Sequence, residues 1–140
     1  MPTLPTETSP FLDVPPALPQ DAAAHFERLL SFETDCWDTH AALSHGDSGF
    51  VVLDVRSPES YAEGHVPGAV NLPHRRIVER NLGQFAPDIL FVVYCSGPHC
   101  NGADRAAVRL ARLGKNVKKM IGGIEGWKDE GFALTREEGK

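Results

Sequence analysis

The spacing of apolar residues changes period several times along the chain, and each change predicts an element. From Asp21, the stretch "DAAAHFERLLSFE" repeats its apolar positions at helical spacing, with Asp21 placed to cap the start. "DCWDTHAALSHG" predicts a second helix, capped by Asp35 and closed by a left-handed turn at Gly46. The pattern then turns continuous: "FVVLDV", between "HGDSG" and "RSPES", predicts a strand buried on both faces. Ser57 followed by Pro58 starts a short helix, and "GAVNL" reads as a short strand. "PHRRIVERNLGQFAPD" holds a helical turn or two and a loop, and "ILFVVYC" is the clearest buried strand. "GADRAAVRLARLG" places apolar residues at 103, 106, 107, 110 and 113, a helix ending at Gly114; "VKKMIGG" and "IEGWKDEGF" add a last strand and a last helix. Short strands alternating with helices imply parallel strands joined by right-handed crossovers, hence an α/β sheet with helices on both faces.

Composition narrows this picture. A chain of 140 residues, 41% apolar, buries one core of ordinary size, so one domain is expected. A net charge of −5, without a Lys/Arg stripe, argues against nucleic-acid binding. Neither a basic start followed by an apolar run nor a long apolar segment appears, so the expectation is a cytoplasmic protein with no membrane partner. Six of the eleven prolines fall in the first twenty residues, which reads as a mobile tail over 1–20 ahead of a domain over 21–140. Cys36, Cys95 and Cys100 are an odd number of thiols in a chain with no export signal, which disfavours a disulfide framework and leaves thiol chemistry open.

Ligands of open α/β sheets bind beyond the carboxyl ends of the strands, and Cys95 lies at such an end. Loop amides and the following helix N-terminus favour negative charge there, so the Cys95 pKa is expected to fall. Ser96, Gly97 and Gly102 let backbone approach the sulfur, and Pro98 stiffens the loop. The segment Ser96, Gly97, Pro98, His99, Cys100, Asn101 and Gly102 is therefore the expected substrate cradle, suited to a persulfide or an oxyanion.

Three ordered blocks resemble the single-domain rhodaneses, the sulfurtransferase family: "LDVRSPESYAEGHVPGAVNLPH", "VVYCSGPHCNGADRAAVRLARLG" and "VKKMIGGIEGWKDEGF", together spanning roughly residues 34–133. The resemblance implies a three-layer α/β/α fold with a five-stranded parallel sheet. It implies Cys95 as the nucleophile, taking sulfur as a persulfide from a donor such as thiosulfate and passing it to cyanide or a thiol, with a protein acceptor also possible and no metal or organic cofactor. Asp54 and Arg56 match the family's Asp-x-Arg, which holds the strand end and neighbouring loops. His65 matches the Gly-His-x-Pro-Gly turn, with a loop-stabilising role. Where many relatives carry arginine or lysine in the active loop, "CSGPHCNG" offers only His99.

The alternatives differ in chemistry. A phosphatase with a Cys-x5-Arg loop would need arginine at position 101, which is asparagine, while Arg105 lies further along the predicted helix. A thiol reductase acting on arsenate or a disulfide could use Cys100 to attack a modified Cys95. A non-catalytic binding or regulatory module is the third reading, against which the presence of Cys95 speaks. "CSGPHC" lacks a second ligand pair for zinc, and His25, His40, His45, His65 and His74 read as scattered surface or cap residues. Gly122 and Gly123 read as a tight strand-to-helix turn beside the site, and Trp127 as core.

Overall fold

A computed structural model describes residues 9–137. Five parallel strands form one sheet in the order β1-β5-β4-β2-β3: β1 Glu33–Thr34, β2 Phe50–Asp54, β3 Val70–Asn71, β4 Leu90–Tyr94 and β5 Asn116–Met120. The helices are α1 Pro10–Asp13, α2 Pro19–Phe32, α3 Cys36–His45, α4 Pro58–Glu63, α5 Gly102–Arg112 and α6 Gly123–Asp129, with 3-10 turns at His74–Arg76 and Glu79–Leu82.

The two-residue period of the strands divides the core. On β4, Phe91 and Val93 face α5 together with Leu53, Val55, Ala106 and Leu110. Val92 and Tyr94 face the other layer, against Cys36, Met120, Ile124 and Trp127. The rhodanese-like three-layer α/β/α architecture follows from this division.

Local signals acted as expected at several ends. The Asp35 carboxylate accepts from the Asp38 amide, Gly46 takes φ 73°, and Ser57 accepts from the Ser60 amide with Pro58 opening α4. Three details differ. Helix α2 starts at Pro19, not Asp21, because proline suits the first helical position and lacks an amide that would need a partner; Asp21 sits within the first turn. Residues 10–13 of the proline-rich segment form a helical turn, while 1–8 lie outside the described residues. The edge strand Glu33–Thr34 has no sequence signature, since two residues carry no period, and it follows directly from α2.

Candidate functional site

Strands β2 and β4 end in register, Asp54 beside Tyr94, so Val55 and Cys95 emerge together at the carboxyl edge of the sheet. Cys95 continues the alternation of Phe91 and Val93 and therefore lies on the α5 side, 7% exposed. Its loop turns through a Cys100 N–H to Gly97 carbonyl hydrogen bond of 3.0 Å before α5 begins at Gly102.

Two glycines make this loop possible. A Cβ on Gly102 would lie 2.8 Å from Cys95 Sγ and 3.5 Å from Cys100 Sγ, so the missing side chain is the space into which both sulfurs fit. Gly123, at φ 61°, brings its backbone against the loop so closely that a Cβ would stand 2.5 Å from the Cys95 carbonyl oxygen. The first amides of α6 then have partners: Ile124 N–H donates to Cys95 O at 3.0 Å and Glu125 N–H to Ser96 O at 2.9 Å. The Gly122–Gly123 turn thus clamps the loop from the side opposite α5.

Asp54 and Arg56 form a buried pair, not a surface one. Arg56 donates from Nε to Asp54 Oδ1 at 2.9 Å and from Nη2 to Oδ2 at 2.6 Å, and Nη2 also donates to Gly64 O at 2.7 Å. Asp54, 0% exposed, accepts a further hydrogen bond from the Tyr94 hydroxyl at 2.7 Å, and that hydroxyl accepts from Val66 N–H at 3.0 Å. Each carboxylate oxygen is satisfied, as a buried charge requires. The network ties the end of β2 to the turn after α4. His65 completes that turn: Nδ1 lies 2.9 Å from Tyr61 O, its ring stacks on Tyr61, and its backbone pairs with Thr135. His65 does not line the space around Cys95.

That space is a cleft of about 700 Å³ with Cys95, Ser96 and Cys100 on its wall. Arg56, Arg75, Arg105 and Arg109 also line it, and no aspartate or glutamate does. The cations that the active loop lacks are therefore supplied by other elements. Arg105 and Arg109 stand one turn apart on α5, a four-residue spacing visible in the sequence. Arg75 comes from the turn after β3, which nothing local connects to Cys95. Arg75 and Arg109 have no ion-pair partner among the described residues.

The histidines also redistribute. His74, read from sequence as a surface or cap residue, lines the cleft, and its Nδ1 is buried without a hydrogen-bond partner among the described residues. Burial, followed by the charges of Arg75, Arg109 and Arg105, lowers its pKa, so it stands as a neutral imidazole beside the arginines. His99, the one basic residue of the loop, lines neither the cleft nor a smaller pocket of about 240 Å³ behind the loop. Of the expected cradle, Ser96, Cys100, Asn101 and Gly102 face the cleft, whereas Gly97 and Pro98 face the rear pocket. Cys95 and Cys100 border both spaces.

The expected acidity of Cys95 is reversed. Burial first, and then the hydrogen-bonded Cys100 thiol, push the Cys95 pKa up to about 11, against the opposing effect of Ser96. Burial works against the Cys100 thiolate too, but the Cys95 thiol and the amides of Gly102 and Ser96 outweigh it and lower the Cys100 pKa. The Gly102 amide donates to Cys100 Sγ at 3.4 Å. In the free site the loop amides thus acidify the outer thiol, because the inner one sits at a buried strand end.

Known proteins are similar to this chain to different extents. A thiosulfate sulfurtransferase GlpE of Pseudomonas entomophila is 37% identical over 90 residues, covering 62% of this chain and 78% of that protein. An HTH-type transcriptional regulator of Mycobacterium tuberculosis is 35% identical over 116 residues, covering 81% of this chain, and the chain spans 50% of the regulator's length. A crystal structure of a Bacillus halodurans protein superposes with a TM-score of 0.83 at 38% identity, covering 86% of this chain and 88% of that one. The sequence profile of the rhodanese-like domain matches residues 38–130, and the chain belongs to that family.

Proposed function

We propose that the protein is a sulfurtransferase in which Cys95 carries sulfane sulfur as a persulfide. The observation that supports this reading is the position of Cys95 Sγ on the wall of a cleft lined by Arg75, Arg105 and Arg109, which have no ion-pair partner among the described residues, and by Arg56, which Asp54 already pairs. A dianionic donor such as thiosulfate fits that cleft through charge-assisted hydrogen bonds from the guanidinium groups. His74 adds a ring nitrogen that has no partner among the described residues.

The donor step begins when the Cys95 proton passes to a Cys100 thiolate, the form that the lowered Cys100 pKa favours. The Cys95 thiolate attacks the outer sulfur of thiosulfate. A sulfur–sulfur bond forms at Cys95, and sulfite departs with the electron pair of the old one. Ser96 stabilises the charge on sulfur. Attack on the outer sulfur by cyanide or a thiol, free or on a protein, then regenerates Cys95. The Asp54–Arg56–Tyr94 network and His65 hold the walls and are positioning residues. No metal or organic cofactor takes part in this route. A reducing compartment, the cytoplasm, keeps the three thiols available.

The test is a single turnover with thiosulfate, for wild type and Cys95→Ser in parallel, read as sulfite released. One sulfite per chain from the wild type alone is the expected result, whether the sulfur stays on Cys95 or leaves in a later step. No uptake by the wild type while Cys95 is still alkylated overturns thiosulfate as donor. It would also favour a regulatory-module reading, to which the partial match with a transcriptional regulator points.

A further inference from the structure

Cys100 has no part in the transfer route beyond holding a proton, yet its sulfur lies in the same gap beside Gly102 as that of Cys95. Cys100 packs against the core cluster that holds Cys95, and both sulfurs lie in the gap left by the absent Gly102 side chain, 2.8 and 3.5 Å from where its Cβ would be. Cys100 therefore approaches the atom that becomes the inner sulfur of a Cys95 persulfide. We propose that Cys100 resolves the persulfide by attacking that inner sulfur, which makes the protein a sulfide-releasing, dithiol-dependent persulfide reductase. This rests on the Cys95 persulfide proposed above and extends it to a second product.

The step balances. The Cys100 sulfur bonds to Cys95 Sγ, the bond from Cys95 Sγ to the outer sulfur breaks, and the outer sulfur leaves with the electron pair. That sulfur takes the proton of Cys100 and departs as hydrosulfide. The two cysteine sulfurs are oxidised to an intrachain disulfide as the sulfane sulfur is reduced to sulfide. A dithiol reductant resets the site by exchange through Cys100, the more exposed of the two thiols. Three features of the structure suit this step. Gly102 N–H donates to Cys100 Sγ and supports the attacking thiolate. Gly102 puts no side chain beside the two sulfurs. Both border the front cleft and the rear pocket, so a leaving sulfur has open space on either side of the pair.

The experiment is an anaerobic single turnover with the full chain and no reductant, comparing wild type with Cys100→Ser. Each protein is loaded either with thiosulfate or with inorganic polysulfide. Released sulfide is trapped with a bimane, and the chain is examined by intact mass and peptide mapping. Wild type is expected to release one sulfide per chain and to end two hydrogens lighter, with Cys95 joined to Cys100. Cys100→Ser is expected to retain the added sulfur on Cys95 and release none. Added sulfur that stays on wild-type Cys95, or that is found on Cys100, overturns the resolving step and leaves the sulfurtransferase reading intact. Uptake from neither donor by either protein overturns both.

Discussion

Cys36 and Cys95 are both buried thiols beside a glycine turn, and burial raises both to about 11, yet their surroundings differ in kind. Cys36 lies under the outer side of the Gly122–Gly126 segment, within 3.3 Å of where a Gly126 Cβ would be. Its thiol donates to the carbonyls of Ile121 and Gly123, both at 3.6 Å, and after burial its pKa is raised further by Asp35, Glu130 and Asp129. Each of these three carboxylates opposes a thiolate. Cys95 instead meets the Ser96 amide and hydroxyl, a second cysteine whose thiolate can take its proton, and a cleft edged by arginine. The resting pKa does not separate a packing cysteine from a reactive one; what separates them is the capacity of the neighbours to receive negative charge.

The sharpest break between the two comes from removing each thiol. Cys95→Ser is expected to abolish sulfur uptake, read as sulfite released from thiosulfate. Cys36→Ala is expected to keep uptake and lose about 1–2 kcal/mol of stability in denaturant unfolding, the scale of a small buried side chain. Persulfide loss in the Cys36 variant at full folding would end the distinction.

The glycines give the next contrast. In Gly123→Ala a Cβ meets the Cys95 carbonyl at 2.5 Å on a residue with positive φ. A loss of about 2–4 kcal/mol and a displaced active loop are expected, read as a lower Tm and faster alkylation of Cys95. Gly126→Ala meets only the Cys36 sulfur at 3.3 Å, and its effect should be smaller and confined to stability. Equal effects of the two substitutions on alkylation would contradict the clamp.

Charge on the cleft wall is the third lever. Arg105→Ala and Arg109→Ala are each expected to raise KM for thiosulfate roughly tenfold or more, the loss of about 1.5 kcal/mol or more per charge-assisted bond, with kcat changed less. An unchanged KM would remove the arginines from donor binding.

The smallest effect is on pH dependence. In wild type, alkylation should reach Cys100 at lower pH than Cys95, since the pKa of Cys100 is lowered and that of Cys95 is raised to about 11. Cys100→Ser removes one cause of the Cys95 rise, so the alkylation profile of Cys95 should move to lower pH in that variant. A profile that stays put would mean burial alone holds Cys95 protonated.

Much of the scaffold was legible along the chain. The apolar runs "FVVLDV" and "ILFVVYC" became the strands β2 and β4. Asp35, Ser57 and Gly46 ended or started helices as their side chains or backbone freedom require. The strand-to-loop junction at Cys95 was legible because the change from β-formers to turn residues is itself local. Helix α2 shows the limit of periodicity: the helix forms, but none of its residues is buried, and Phe26 and Leu30 remain exposed.

The sequence by itself determined the element types, the place of Cys95 at a strand end and the family resemblance, because these depend on spacing over a few residues or on ordered blocks. The tertiary structure decided the site's electrostatics. Arg75 and His74 reach the cleft only because β3 pairs beside β2 and its following turn packs against α5. The Cys95–Cys100 contact exists only because Gly102 leaves room for two sulfurs. Charge and acidity depend on distances through space between residues far apart in the chain, and composition carries no record of those distances.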